Sequence, residues 1–331
     1  MRKGYPGLRW EGLLPPQYLL RNRRFLRVVL NPPDYNPGSW IGAGNVILDE
    51  EAGEFWLVAR LRRAPPARGY ALGIYRSTDG EHFYQAFKVT KEELGEMAKL
   101  EIKSIEGSQM IRDPATGKYH LYISVDIDGW ETLLLKAEDP SGPWECVGLV
   151  LRREESYETR EARDPVIGIV DGLYIMLYRA NDGRRINTAL AVSQDGIKWR
   201  KLGIPMIDGN LQPGYLQLCG SFFAGSLGPI FLGLARRYVV NGCGIAKSFE
   251  AYALDLRRPE MTTIFRGEWK PLSPYEHSEC PTHGYCSIIY DPFRDRVLMY
   301  VEAIDPQFTK EVGWRTQVDR LILYEVPLTR R

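Results

Sequence analysis

The sequence predicts an all-β chain folded as a five-bladed β-propeller, on three observations. A hairpin of one short apolar strand, a polar turn and a second strand rich in Tyr, Leu and Val occurs five times: Asn45 to Arg60, Ser108 to Ser124, Asp164 to Arg179, Ser221 to Arg236 and Cys286 to Glu302. The copies recur about every 60 residues, as expected of a repeat whose sheet cannot bury both faces alone. A turn of the form Ser-x-Asp-Gly with an aromatic residue nearby appears in two copies, at Ser77 to Gly80 and Ser193 to Gly196.

Taken in order, the Pro-rich lead-in 1–40 reads as an arm packed across the ring, since it carries Pro15-Pro16 and Pro32-Pro33 and no sustained period. Blade one follows at about 41–90, with an outer strand over Ala71 to Ser77. Lys91 to Lys103 has helical composition. Blades two to five are expected at about 104–152, 161–207, 218–272 and 281–328, making residues 1–331 one domain. The strand from Arg320 to Val326 either completes the last sheet or pairs with the arm to close the ring.

Composition narrows the function. The 43 basic and 42 acidic residues leave a net charge of +1, so no global field favours nucleic acid. The basic cluster Arg21, Arg23, Arg24 and Arg27 reads as a solvated face or a support for ring closure, with an anion site as the alternative. The first twenty residues lack the apolar core of roughly 7 to 15 residues that marks a secretory signal, and no stretch approaches membrane-spanning length. A cytoplasmic protein without a membrane partner is expected. The five cysteines include no CxxC pair, which argues against a disulfide framework or structural zinc. No cofactor and no metal are expected.

In a propeller the first strand of each blade lines a central funnel, so residues at the starts of those strands should converge. Asp113 and Asp291, each before Pro, fall between strands and read as turn punctuation. Asp164-Pro165 instead precedes its strand, which places Asp164 at the funnel mouth. Glu106 in blade two and Glu279 in blade five hold comparable positions. Paired carboxylates across a pocket are what glycosidic cleavage needs, one protonated for the leaving oxygen and one ionised to activate water or attack the anomeric carbon. Arg60, Arg179 and Arg236 end second strands, and Arg163 adjoins Asp164; as a hairpin returns to its starting level, these guanidiniums can reach the rim and bind sugar hydroxyls, a uronate or phosphate. Asn45 joins them as a substrate contact. His283 lines the mouth or caps a turn, and Trp40, Trp130 and Trp314 offer flat apolar faces for sugar rings or anchor the core.

At these residues the chain resembles the five-bladed propeller glycosidases, the set that includes glycoside hydrolase families 43, 32, 62, 68 and 130. Arg163-Asp164-Pro165 and Glu279-Cys280 resemble the RDP and EC words of family 32. Asn45, the SxDG turns, Asp164-Pro165 before YIMLYRA, and PYEHSE leading to LMYVEAID resemble family 130. The acids of blades five, two and three have the spacing round a ring that family 43 acids have. The resemblance implies a glycoside hydrolase acting on carbohydrate, with Asp164 as general acid, Glu279 as base or nucleophile and Glu106 as modulating or alternative acid. A family 130 type phosphorylase, with phosphate as co-substrate, is the alternative; Arg163 and Val166 depart from the family's EDPR word, which favours hydrolysis. A non-catalytic carbohydrate-binding propeller is the reading from another class.

Overall fold

The computed structural model describes residues 15–226 and 228–328, and these are nearly all β. The strands form five successive antiparallel units. In unit one the innermost strand is broken into Trp40–Gly42 and Val46–Asp49, followed by Glu54–Arg62, Gly69–Ser77 and Tyr84–Thr90. Unit two is Ser104–Arg112, Tyr119–Asp126, Trp130–Ala137 and Glu145–Leu151. Unit three is Glu161–Val170, Leu173–Asn181, Ile186–Ser193 and Arg200–Gly203. Unit four is Gln217–Gly225, Gly228–Val240, Cys243–Asp255 and Glu260–Glu268. Unit five has Thr282–Asp291, Arg296–Ile304 and Asp319–Pro327, and its fourth strand is Arg24–Leu30 from the other end of the chain.

This last pairing resolves the two expectations for the C-terminal strand, because both hold. Asp319–Pro327 pairs with Arg296–Ile304 on one side and with Arg24–Leu30 on the other. The lead-in is therefore more ordered than its composition suggested: residues 1–14 lie outside the described residues, but Pro16–Asn22 is a helix with Pro at its first turn and the strand follows directly. Arg23 anchors the junction. Its guanidinium donates to the carbonyls of Leu20 and Lys270 and lies 3.9 Å above the Trp269 ring, so one member of the basic cluster is buried where the lead-in packs on the end of unit four. The expected helix after blade one is Lys91–Ala98, capped reciprocally by Thr90 and Glu93.

The core is divided between neighbours. Five apolar clusters lie between units one and two, two and three, three and four, four and five, and five and one. Second strands such as Arg296–Ile304 are buried along their whole length because units cover them on both faces, which explains their β-branched and aromatic composition. The innermost strands touch in cyclic order, the fifth meeting the first. The SxDG turns tie units together from outside. Ser77 and Ser193 cap their turns, and the Gly80 and Gly196 carbonyls accept hydroxyl hydrogen bonds from Tyr300 (2.6 Å) and Tyr122 (2.7 Å) of the preceding units. Asp113 is turn punctuation as expected, accepting from Ala115 N–H and the Thr116 hydroxyl, and it also holds the Tyr174 hydroxyl at 2.6 Å. Asp291 accepts from Phe293 N–H in the same way.

Candidate active site

Where the innermost strands approach the axis, their register slips. Unit one breaks at Ala43 to Asn45, and bulges interrupt units two, three and five between Ile105 and Ser108, Arg163 and Val166, and Thr282 and Cys286. Unit four keeps its inner strand regular and bulges on the second strand around Arg236. A bulge re-aims side chains and is common beside binding sites. Here the bulges bring Glu106, Asp164, Arg236, His283 and Tyr285 to one buried centre.

Asp164 lies at the middle of it, 2 % exposed and in left-handed backbone with φ 52°, a conformation that costs a non-glycine residue roughly 1–2 kcal/mol. Its carboxylate accepts from Gly107 N–H at 3.1 Å, Gln217 Nε2 at 2.8 Å and the Tyr285 hydroxyl at 3.0 Å. The Ser124 hydroxyl fixes the geometry, accepting from Asp164 N–H and donating to the Gly107 carbonyl. Gly107 has no side chain for a steric reason: a Cβ there would stand 2.6 Å from Asp164 Oδ1. Burial alone would raise the Asp164 pKa, but Arg163, Arg236 and Arg179 outweigh it and hold the group at about 2. Asp164 is therefore an anion at neutral pH. That state suits a base or an electrostatic stabiliser and speaks against the general-acid role drawn from sequence.

Glu106 stands next to Gly107, its side chain 11 % exposed, with Oε2 2.9 Å from Arg60 Nη1. Arg60 is fully buried and its other arm meets Glu302 Oε1 at 3.1 Å. Burial works against the charge on Arg60, and Glu106 and Glu302 more than restore it. Arg163 and Arg179 share Glu161, and Arg179 continues to Gln217 Oε1 at 3.1 Å. The hairpin argument for the arginines holds in register: Arg60 is opposite Gly42, Arg179 opposite Arg163, and Arg236 opposite Gln217.

Three expected site residues have other roles. Glu279 is exposed on the turn before unit five, where its N–H donates to His277 Nδ1 at 3.2 Å; no hydrogen bond or ion pair among the described residues joins its carboxylate to the centre. Unit five supplies Glu302 and Asp319 instead. Asn45 exchanges two 2.8 Å hydrogen bonds with the Met110 backbone, so its amide stitches unit one to unit two and is occupied on both sides. Trp40 is 3 % exposed, donates to the Gln317 carbonyl at 2.9 Å and has Arg62 3.7 Å over its ring, which makes it an anchor and not a sugar platform. Trp130 carries Arg163 at 4.3 Å and Trp314 carries Arg315 at 4.5 Å.

His283 lines the centre, stacked on Tyr285 and 3.2 Å from Asp319 Oδ2. Burial and the guanidiniums of Arg236, Arg60, Arg62 and Arg179 push its pKa well below the usual range, so it is neutral. His283, Glu302 and Asp319 offer ligand atoms within 4.8 Å of one another. The surroundings suit a proton better than a metal ion. Arg60 is on Glu302, and the Gln317 amide donates to both oxygens of Asp319 at 3.0 and 2.9 Å, so positive ends already face the space. Burial raises the pKa values of both acids, with Glu106 adding to the effect on Glu302 and Glu302 adding to that on Asp319.

No family model matches the chain, and no curated protein matches it. Solved structures do. A β-1,2-mannobiose phosphorylase from Listeria innocua, seen with β-1,2-mannobiose, superposes with a TM-score of 0.54 at 16 % identity, covering 89 % of this chain and 94 % of that one. A thermostable family-43 glycoside hydrolase gives 0.61 at 13 % identity, covering 86 % and 88 %. A family 117 glycoside hydrolase from Zobellia galactanivorans gives 0.58 at 14 % identity, covering 92 % and 90 %. The likeness is one of fold. It sets this all-β chain beside β-propeller glycosidases and a phosphorylase.

Proposed function

We propose that the five units are the blades of a single five-bladed propeller, closed by Arg24–Leu30, that cleaves glycosidic bonds at the centre described above. The observation that carries the reading is that Asp164 and the residue beside Glu106 meet across neighbouring units at the buried centre: the Gly107 N–H donates directly to the Asp164 carboxylate. Glu106, the carboxylate of the pair that reaches solvent, is assigned as the proton donor to the leaving oxygen; that role requires it to carry a proton in the working state, with Arg60 then keeping Glu302 as its counter-ion. Asp164, held ionised, orients the sugar or stabilises positive charge as the oxocarbenium-like transition state forms. Arg163 and Arg179 bind the glycone at the rim. The fold neighbours support this reading, since they are named as glycoside hydrolases and a mannobiose phosphorylase.

The main reaction is hydrolysis, with a sugar as the partner. Phosphorolysis is the second reading, favoured by Arg236, a buried guanidinium with no carboxylate oxygen among the described residues closer than 3.9 Å. All five cysteines are free, which suits the reducing cytoplasm. No helix among the described residues is long and apolar enough to cross a membrane. The test is a panel of aryl glycosides and oligosaccharides assayed with and without phosphate. Free sugar at a phosphate-independent rate is expected. A sugar 1-phosphate would select the second reading, and no cleavage across the panel would leave a binding protein.

A further inference from the structure

We propose that the centre contains an oxyanion subsite, built on Arg236 with Arg179 and Arg163 at its rim, that takes the carboxylate of an acidic sugar; this deepens the glycosidase reading and rests on it. Arg236 sits at the unit-four bulge, 2 % exposed, with its guanidinium 4.2 Å above the Tyr285 ring. Its only hydrogen-bond partner among the described residues is the Cys219 sulfur at 3.5 Å, and its Nε–H has none. The nearest carboxylate oxygen, Asp164 Oδ2, is 3.9 Å away and is already bonded to Gln217 and Tyr285. The other acids are also engaged, Glu106 and Glu302 by Arg60, and Glu161 by Arg163 and Arg179. Arg163 leaves a second buried Nε–H without a partner.

A buried guanidinium without a bonded anion is costly by several kcal/mol. Stacking on Tyr285 returns only about 0.5–2 kcal/mol. The missing partner is therefore an anion brought by the ligand. A monoanion fits better than a phosphate dianion, because Asp164 and Glu161 stand beside the same guanidiniums and repel each added negative charge. A planar carboxylate also matches the two parallel donors of an arginine fork.

The test is isothermal titration of the whole protein with D-glucuronate and D-galacturonate, with D-glucose and D-galactose as neutral parents and inorganic phosphate as a third arm, at constant ionic strength. At least one uronate should bind about tenfold more tightly than its parent, a difference worth about 1.4 kcal/mol. Arg236→Gln should abolish that preference, bringing the uronate and its neutral parent to about equal affinity. If that variant fails to fold, Arg179→Gln, nearer the rim, should weaken the preference. Equal affinity for uronates and their parents, no uronate binding, or phosphate binding tighter than both uronates would overturn the subsite. The two readings fail separately: uronate binding with no glycoside cleaved removes the enzyme and leaves the subsite, and cleavage of neutral glycosides without uronate preference does the reverse.

Discussion

Because the folded chain keeps Asp164 ionised down to about pH 2, against an ordinary value of 3.8, its contribution to stability is complete above about pH 4 and is lost as pH falls through 2. Asp164→Asn should therefore be less stable at pH 7, by on the order of 2 kcal/mol, with the gap closing in thermal melts taken from pH 4 downward. A gap that is constant with pH would mean that the arginines do not hold the charge. Gly107→Ala should displace the same carboxylate, since the new methyl overlaps Asp164 Oδ1, and lower the melting temperature. Glu279→Gln, on an exposed turn, should shift stability by no more than about 0.5 kcal/mol and leave turnover unchanged. Glu106 and Asp164 were legible because each begins an inner strand. Glu302 was legible too, by a signal that went unused: it ends the fifth hairpin copy where Arg60, Arg179 and Arg236 end theirs. Glu279 misled because its sequence distance from the strand resembles that of Glu106. Yet Glu279 is itself on the exposed bend ahead of Thr282, where the strand starts, whereas Glu106 is inside the bulge.

At the scale of elements, the hairpin repeats predicted the strands well, because apolar and aromatic periodicity is set by burial between units. Bulges were not legible. Nothing in the spacing of Glu106-Gly107 or His283-Gly284 states that register will slip there, since a bulge satisfies neighbours in other units that sequence does not place. The strand Arg24–Leu30 was only half legible for a related reason: pairing of the arm with the C-terminal strand was one of two expectations, but its partner Asp319–Pro327 is almost 300 residues away, and its Pro-flanked composition looks like a linker. The SxDG turns give a prediction here. Tyr122→Phe and Tyr300→Phe each leave a buried glycine carbonyl without its hydroxyl partner and should each cost about 1 kcal/mol. As they act at different unit boundaries, denaturant titration of the double variant should show additive losses.

For the whole molecule, the centre is where every unit meets its neighbours. Asn45 and Arg60 link unit one to unit two, Gly107 links two to three, Gln217 links three to four, Arg236 over Tyr285 links four to five, and Arg60 with Glu302 links five back to one. The packing of the units and the proposed chemistry thus depend on the same side chains, so a cluster of buried charges can serve both as a network between units and as the proposed reactive site. What separates the two is a group that exchanges a proton with a substrate, and Glu106 is the one assigned that task. Turnover of Glu106→Gln should be compared on two aryl glycosides of the same sugar, one with a phenolate leaving group that needs protonation and one with a dinitrophenolate that does not. A loss of about a hundredfold or more on the first and far less on the second is the result expected of a proton donor. Wild-type turnover on both, or an equal loss on both, would contradict it.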